Sequence, residues 1–218
     1  MMPILAALEW KLIGIRTGVV AGALVIWFWT QSLIGKKAVA KEGLGDVIHD
    51  LTARWHRYLS ANPRATNASL IISSLFIDVF GLALIGAAIF GHTFAPFLSI
   101  IILFSMRQVC QSLCTLPPPP GNLWRDPGFP SLLVTYGVSN DLFFSGHTGL
   151  AVLGAIHAAQ SGSVWLAVTA GVIALGEAVI VLALRAHYTL DVIAGAFAAF
   201  LAANAAARLS PLLDAWLR

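Results

Sequence analysis

Charge is scarce in this chain: only 11% of its 218 residues are Asp, Glu, Lys or Arg, against 58% hydrophobic. A soluble domain carries roughly 25% charged residues. With a mean hydropathy of +0.83, the composition excludes an ordinary soluble globule and implies a multi-pass integral membrane protein. Positive charge is in small excess: a net +3 and a pI near 9.1 fit contact with anionic membrane lipids better than nucleic-acid binding, and no nucleic-acid partner is expected. Cysteine is almost missing. Cys110 and Cys114 fall on one face of a predicted helix, so neither a disulfide nor a zinc site is expected, and the thiols read as inert. No signal-peptide pattern with a small-residue cleavage site precedes the first apolar run.

What is present is apolar sequence in long runs. A membrane span needs about 20 apolar residues, and six windows qualify: 12–35, 67–90, 94–114, 147–160, 163–184 and 187–209. The fourth is short and runs into the fifth through Gln160-Ser161-Gly162. Helices are the spanning form these windows support. The expected fold is all-α, a six-transmembrane-helix bundle forming one structural domain. Residues 1–66 supply the first span plus a polar segment, and residues 67–218 a five-helix catalytic bundle.

In the polar segment, Leu44, Val47, Ile48, Leu51, Trp55 and Leu59 alternate with Asp46, His49, Asp50, Arg54, His56 and Arg57 at a helical period. Such a stripe fits an amphipathic helix lying on the membrane or a helix capping the bundle. Residues 115–146 form the longest non-helical stretch and open with four prolines, Pro117 to Pro120, which hold an extended conformation. Gly14, Gly18 and Gly22 make a small-residue stripe suited to packing within the bundle or to a homo-oligomer. Trp27, Trp29, Trp124, Trp165 and Trp216 read as aromatic-belt residues.

Two polar segments begin apolar windows, where histidine and aspartate are costly unless used. His187 and Asp191 are four apart on one helix face, so the carboxylate can fix the imidazole tautomer and leave the other nitrogen free to attack. His147 also begins a helix, with Ser145 as its N-cap. Threading of six spans puts both helix starts on one membrane face, where helix N-termini attract phosphate. One nucleophile and one proton donor across a phosphorus atom satisfy in-line displacement. Arg107 and Arg185 lie at the same level and could bind phosphate or snorkel. Asp78 and Glu177 lie within spans; either could contact a headgroup cation or be neutralised by burial. His157 reads as a satisfied interior histidine, whereas His49, His56 and His92 have no partner in sequence.

Asp141-Leu-Phe-Phe-Ser-Gly-His-Thr148 followed by Arg185-Ala-His-Tyr-Thr-Leu-Asp191 resembles the third and fourth motifs of the sphingomyelin synthase family, within the lipid phosphate phosphatase superfamily. Arg107, Thr115-Leu116-Pro117, Pro119 and Gly121 resemble a further family motif. Leu44-Gly45-Asp46 is the nearest candidate for the family's first motif, and the Lys-x6-Arg-Pro motif of ordinary lipid phosphatases is not recognisable. The resemblance implies a phosphotransferase that moves phosphocholine or phosphoethanolamine from a glycerophospholipid donor to ceramide or a similar lipid alcohol, releasing diacylglycerol. His187 would attack phosphorus and form a phosphohistidine, Asp191 would orient it, and His147 would serve as acid and then base. Arg107, Arg185, Asp141, Ser145, Thr115 and Tyr188 would bind substrate, and Asp78 and Glu177 are possible headgroup contacts. No metal or cofactor is implied. The same residues would also serve a lipid phosphatase or phospholipase C-type hydrolase. A transporter or scaffold would need neither histidine.

Overall fold

The computed structural model describes residue 25 and residues 44–113, 116–134, 136 and 142–216. The chain divides into two compact units, Met1–Gly45 and Asp46–Arg218. The expected first span, the stripe of Gly14, Gly18 and Gly22, and Thr115 and Asp141 lie outside the described residues.

Among the described residues, the second unit holds seven helices in order: α1 Val47–Leu51, α2 Ala53–Ala61, α3 Pro63–Phe90, α4 Ala95–Leu113, α5 Gly146–Gln160, α6 Val164–Ala183 and α7 Thr189–Trp216. The fold is all-helical, with no strand among the described residues. Local chemistry sets the boundaries. Pro63 occupies the first turn of α3, where its fixed φ and missing donor are tolerated, and Gly91 ends it at a place where a Cβ would clash with the Ala87 carbonyl oxygen. Ser145 and Ser163 cap α5 and α6 through hydrogen bonds accepted from Thr148 and Leu166 N–H.

Among the described residues, four helices are long and apolar enough to cross a membrane: α3, α4, α6 and α7. The expected count of six spans is not reached among them: the first expected span lies outside the described residues, and α5 has only 15 residues. At about 1.5 Å per residue it falls short of a hydrocarbon layer about 30 Å thick. It is nevertheless the central helix, packed against α3, α4, α6 and α7. With four apolar helices of this kind, the protein is an integral, multi-pass membrane protein.

Small residues let α5 sit so close. Ala198, Ala199, Ala202, Ala203 and Ala206 of α7 are buried, and a Cβ on Gly149 would lie 3.1 Å from Leu103. Where the hydrophobic effect gives no drive between helices, close van der Waals packing of this kind holds them. Outward faces carry Ile72, Leu75, Val79, Val168, Val172, Phe197 and Phe200, all exposed, as expected of surfaces meeting lipid. Helices α1 and α2 pack on α6, with His49 and Leu59 buried and Leu51, Trp55 and Tyr58 turned outward.

Candidate functional site

The site grows from the turn between α6 and α7. Helix α6 ends with Arg185 N–H donating to Leu182 C=O at 3.1 Å and Ala186 N–H to Val181 C=O at 2.9 Å, a Schellman closure. Its left-handed position, normally glycine, is Arg185 at φ 56°. A side chain there costs about 1–2 kcal/mol, so the guanidinium offsets strain that glycine would avoid. Arg185 Nη2 donates to the His49 carbonyl, while buried Nη1 has no partner. Burial lowers the Arg185 pKa from its ordinary value, and the nearby Asp46 carboxylate opposes the shift.

Two residues on, His187 begins the approach to α7. Its Nδ1 lies 3.6 Å from Asp191 Oδ2, and that same oxygen accepts Tyr188 N–H at 2.9 Å. Asp191 is fully buried, and its Oδ1 has no partner. The carboxylate thus faces one ring nitrogen, as the four-residue spacing requires.

His147 arrives from the other direction. The Ser145 backbone N–H donates to Asp191 C=O at 3.0 Å, which docks the start of α5 onto the start of α7. A Cβ on Gly195 would stand 2.5 Å from the Ser145 carbonyl oxygen, so only glycine permits this approach. Ser145 Oγ accepts from Thr148 N–H and Oγ1 at 3.3 and 3.1 Å; the hydroxyl expected to bind substrate is engaged as a helix cap. His147 has His187 and Arg107 as electrostatic neighbours, and its Nε2 is buried without a partner. Arg107 Nε donates to Phe144 C=O at 2.8 Å, and its guanidinium passes 3.2 Å from where a Cβ on Gly146 would be. Both histidines, Asp191 and the two arginines therefore gather at one end of the bundle.

Some sequence-predicted residues stand elsewhere. Asp78 accepts four hydrogen bonds from the loop, two from Ser131 Oγ and one each from Leu132 and Leu133 N–H, at 2.9–3.1 Å. Both its oxygens are occupied, so it anchors the loop on α3 rather than offering itself to a headgroup. Glu177 Oε2 accepts from Ser73 Oγ at 2.6 Å, joining α6 to α3, while Oε1 is unpartnered. Tyr188 is only 3% exposed and stacks on His49 with centroids 5.7 Å apart. As expected, His157 is satisfied inside the bundle, its Nε2 3.1 Å from Ser99 Oγ. Among the described residues, no cluster of His, Cys, Asp and Glu could hold a metal ion.

Sequence reasoning misses a clamp supplied by the polar segment. Asp46 caps α1 and also reaches the start of α7, accepting Thr189 N–H at 2.6 Å and Thr189 Oγ1 at 2.7 Å. His49 Nε2 donates to the His187 carbonyl at 2.9 Å, and His56 Nδ1 to the Ala183 carbonyl at 3.0 Å. Polar residues spaced along an amphipathic helix are the only signal for it; their partners lie more than 120 residues away. Trp124 also departs from expectation. It is half-buried against the site, its ring 4.8 Å from His147 at 77° and stacked on Tyr136 at 5.4 Å.

No curated protein and no solved structure matches the chain. A family model does match, and it corrects the sphingomyelin synthase assignment: the model is AtPDCT1/2, and with the assignment goes the basis for ceramide and sphingolipid metabolism. Because the match covers residues 45–208, from the foot of the Asp46 clamp through both histidine segments, the chain belongs to the AtPDCT1/2 family, named for phosphatidylcholine:diacylglycerol cholinephosphotransferase, and is a lipid phosphotransferase.

Proposed function

We propose that the protein exchanges phosphocholine between phosphatidylcholine and diacylglycerol at the His147–His187 site, through a phosphohistidine. One observation carries the reading. Of the buried side-chain atoms without a partner, four belong to this cluster: His147 Nε2, Arg185 Nη1, His187 Nδ1 and Asp191 Oδ1. Buried polar groups are ordinarily satisfied, and each orphan costs about 1–3 kcal/mol. A phosphate diester carries acceptors for the guanidinium and for a protonated imidazole.

In the proposed sequence His187 Nε2 attacks phosphorus while Nδ1 faces Asp191, which stabilises the charge the ring acquires. The bond from phosphorus to the diacylglycerol oxygen breaks, and His147 gives that oxygen its proton. The hydroxyl of a second diacylglycerol then returns a proton to His147 and attacks phosphorus, and the nitrogen–phosphorus bond breaks. Arg185 and Arg107 neutralise the phosphoryl oxygens. Donor and acceptor are both lipids, so entry from the bilayer suits the exposed apolar flanks of α3, α6 and α7.

The test uses purified protein in phosphatidylcholine liposomes containing diacylglycerol with distinguishable acyl chains. Labelled phosphatidylcholine is the expected product. Free phosphocholine would instead mean hydrolysis, and absence of any headgroup turnover would overturn both. Protein-bound phosphate that is acid-labile and lost in His187→Ala would support the covalent intermediate.

A further inference from the structure

A transferase must hold the headgroup's cation as well as its phosphate. Choline presents a quaternary ammonium, which has no N–H to donate, so recognition falls to aromatic faces and carboxylates. Near the candidate site Asp46 is committed to Thr189, one Asp191 oxygen faces His187 and Asp78 holds the loop. The aromatic rings beside His147 are the remaining groups of the right chemistry.

Trp124 lies 4.8 Å from His147 between ring centroids, and Tyr136 stacks on it at 5.4 Å and 26°. The segment that carries the indole is held by its main chain. The Trp124 backbone N–H donates to Asn122 Oδ1 at 2.6 Å, and the neighbouring Leu123 backbone N–H donates to the Leu184 carbonyl at 2.9 Å. The Tyr136 hydroxyl is hydrogen-bonded to Ser74 of α3. The indole packs against the core with part of its surface, and because both rings remain only half-buried, part of the pair beside His147 stays open to a ligand. In phosphocholine the nitrogen is separated from phosphorus by one oxygen and two carbons. A phosphoryl group carried by His187 and facing His147 would therefore bring its ammonium towards the indole that lies 4.8 Å from the His147 ring.

The geometry points to the Trp124–Tyr136 pair as the subsite that receives the quaternary ammonium and selects choline over ethanolamine. This rests on the phosphocholine-transfer reading. An indole attracts a desolvated cation through its ring face, whereas a primary ammonium keeps three donors that the rings leave unsatisfied.

The experiment compares phosphatidylcholine and phosphatidylethanolamine as donors to labelled diacylglycerol, by kcat/KM, in wild type and in Trp124→Phe, Trp124→Leu and Tyr136→Leu. Wild type is expected to prefer choline, Trp124→Leu to lose about tenfold of that preference, and Trp124→Phe to keep most of it. Equal losses on both donors, or an unchanged ratio, would overturn the subsite, as would a wild type indifferent to headgroup. If Trp124→Leu fails to fold, the ratio in Tyr136→Leu decides by the same criterion. A wild type inactive on both donors would refute the transfer reading itself, which is a separate result.

Discussion

The backbone N–H of Ser145 donates to the carbonyl of Asp191 at 3.0 Å, so the two histidine segments meet through main-chain atoms. Side chains then inherit their positions from two helix starts. This junction is the frame within which the site residues can be tested.

Replacing either histidine should remove transfer without unfolding the bundle. His147→Ala is expected to slow the reaction by about 10²–10⁴-fold, the range for a positioned acid–base group. His187→Ala should reach background, because the nucleophile itself is gone. Transfer assays alongside thermal melts check this; a variant with near-normal turnover would remove that histidine from the mechanism.

Asp191→Asn keeps an oxygen for Tyr188 N–H but loses the charge facing His187 Nδ1. Turnover should fall by at least about 10²-fold with a small change in melting temperature. Asp191→Ala should lose stability as well, since it also orphans the Tyr188 amide. Comparing the two variants separates orientation of the ring from support of the turn.

Asp46→Ala leaves Thr189 N–H and Oγ1 without their acceptor and uncaps α1. A loss of about 2–3 kcal/mol is expected for charge-assisted hydrogen bonds of this kind. kcat should drop more than KM rises, because the clamp positions the turn that carries His187. Denaturation in detergent and steady-state kinetics together test it.

At Arg185, stability and activity should part company. Arg185→Gly relieves the left-handed strain at φ 56°, so it should be more stable than Arg185→Ala by about 1 kcal/mol. Both should lose activity to a similar degree, since both lose the guanidinium. Equal stability of the two would mean that the turn bears no strain.

Gly195→Ala should be costly, with its Cβ 2.5 Å from a backbone oxygen that has no rotamer to escape into. A loss of about 1–3 kcal/mol and displacement of α5 are expected. Gly176→Ala on α6 meets nothing within 4 Å and serves as the neutral comparison.

Local chemistry is legible in the sequence. Ser145 as a cap, His187 with Asp191 on one face and His157 as an interior group all follow from spacing within a single helix. The gathering of both histidine segments at one end follows from helix order. What stays hidden depends on contacts between distant segments. Nothing near Asp46 or His49 announces Thr189 or His187, some 140 residues on, and an indole near a span end looks alike whether it faces headgroups or His147. Asp78 reads as a lone carboxylate because its three donor groups, Ser131 Oγ and the Leu132 and Leu133 N–H, come from an irregular loop. The window 147–160, short already in sequence, forms a helix of 15 residues, and apolar composition alone does not tell a span from a helix buried among spans. The family assignment fails because short motifs report the chemistry of a site, whereas the match that decides it extends over residues 45–208.

The brevity of α5 has a consequence for how a lipid reaches this machinery. Fifteen residues make a rod of about 22 Å, some 8 Å less than the oily layer its neighbours traverse. On the proposed reading, with His147 in its first turn, a rod this short would let the reaction centre lie below the headgroups, nearer the acyl chains. A lipid donor and a lipid acceptor could then meet there with their tails still in the bilayer, and the exchanged lipid could leave by the same lateral route.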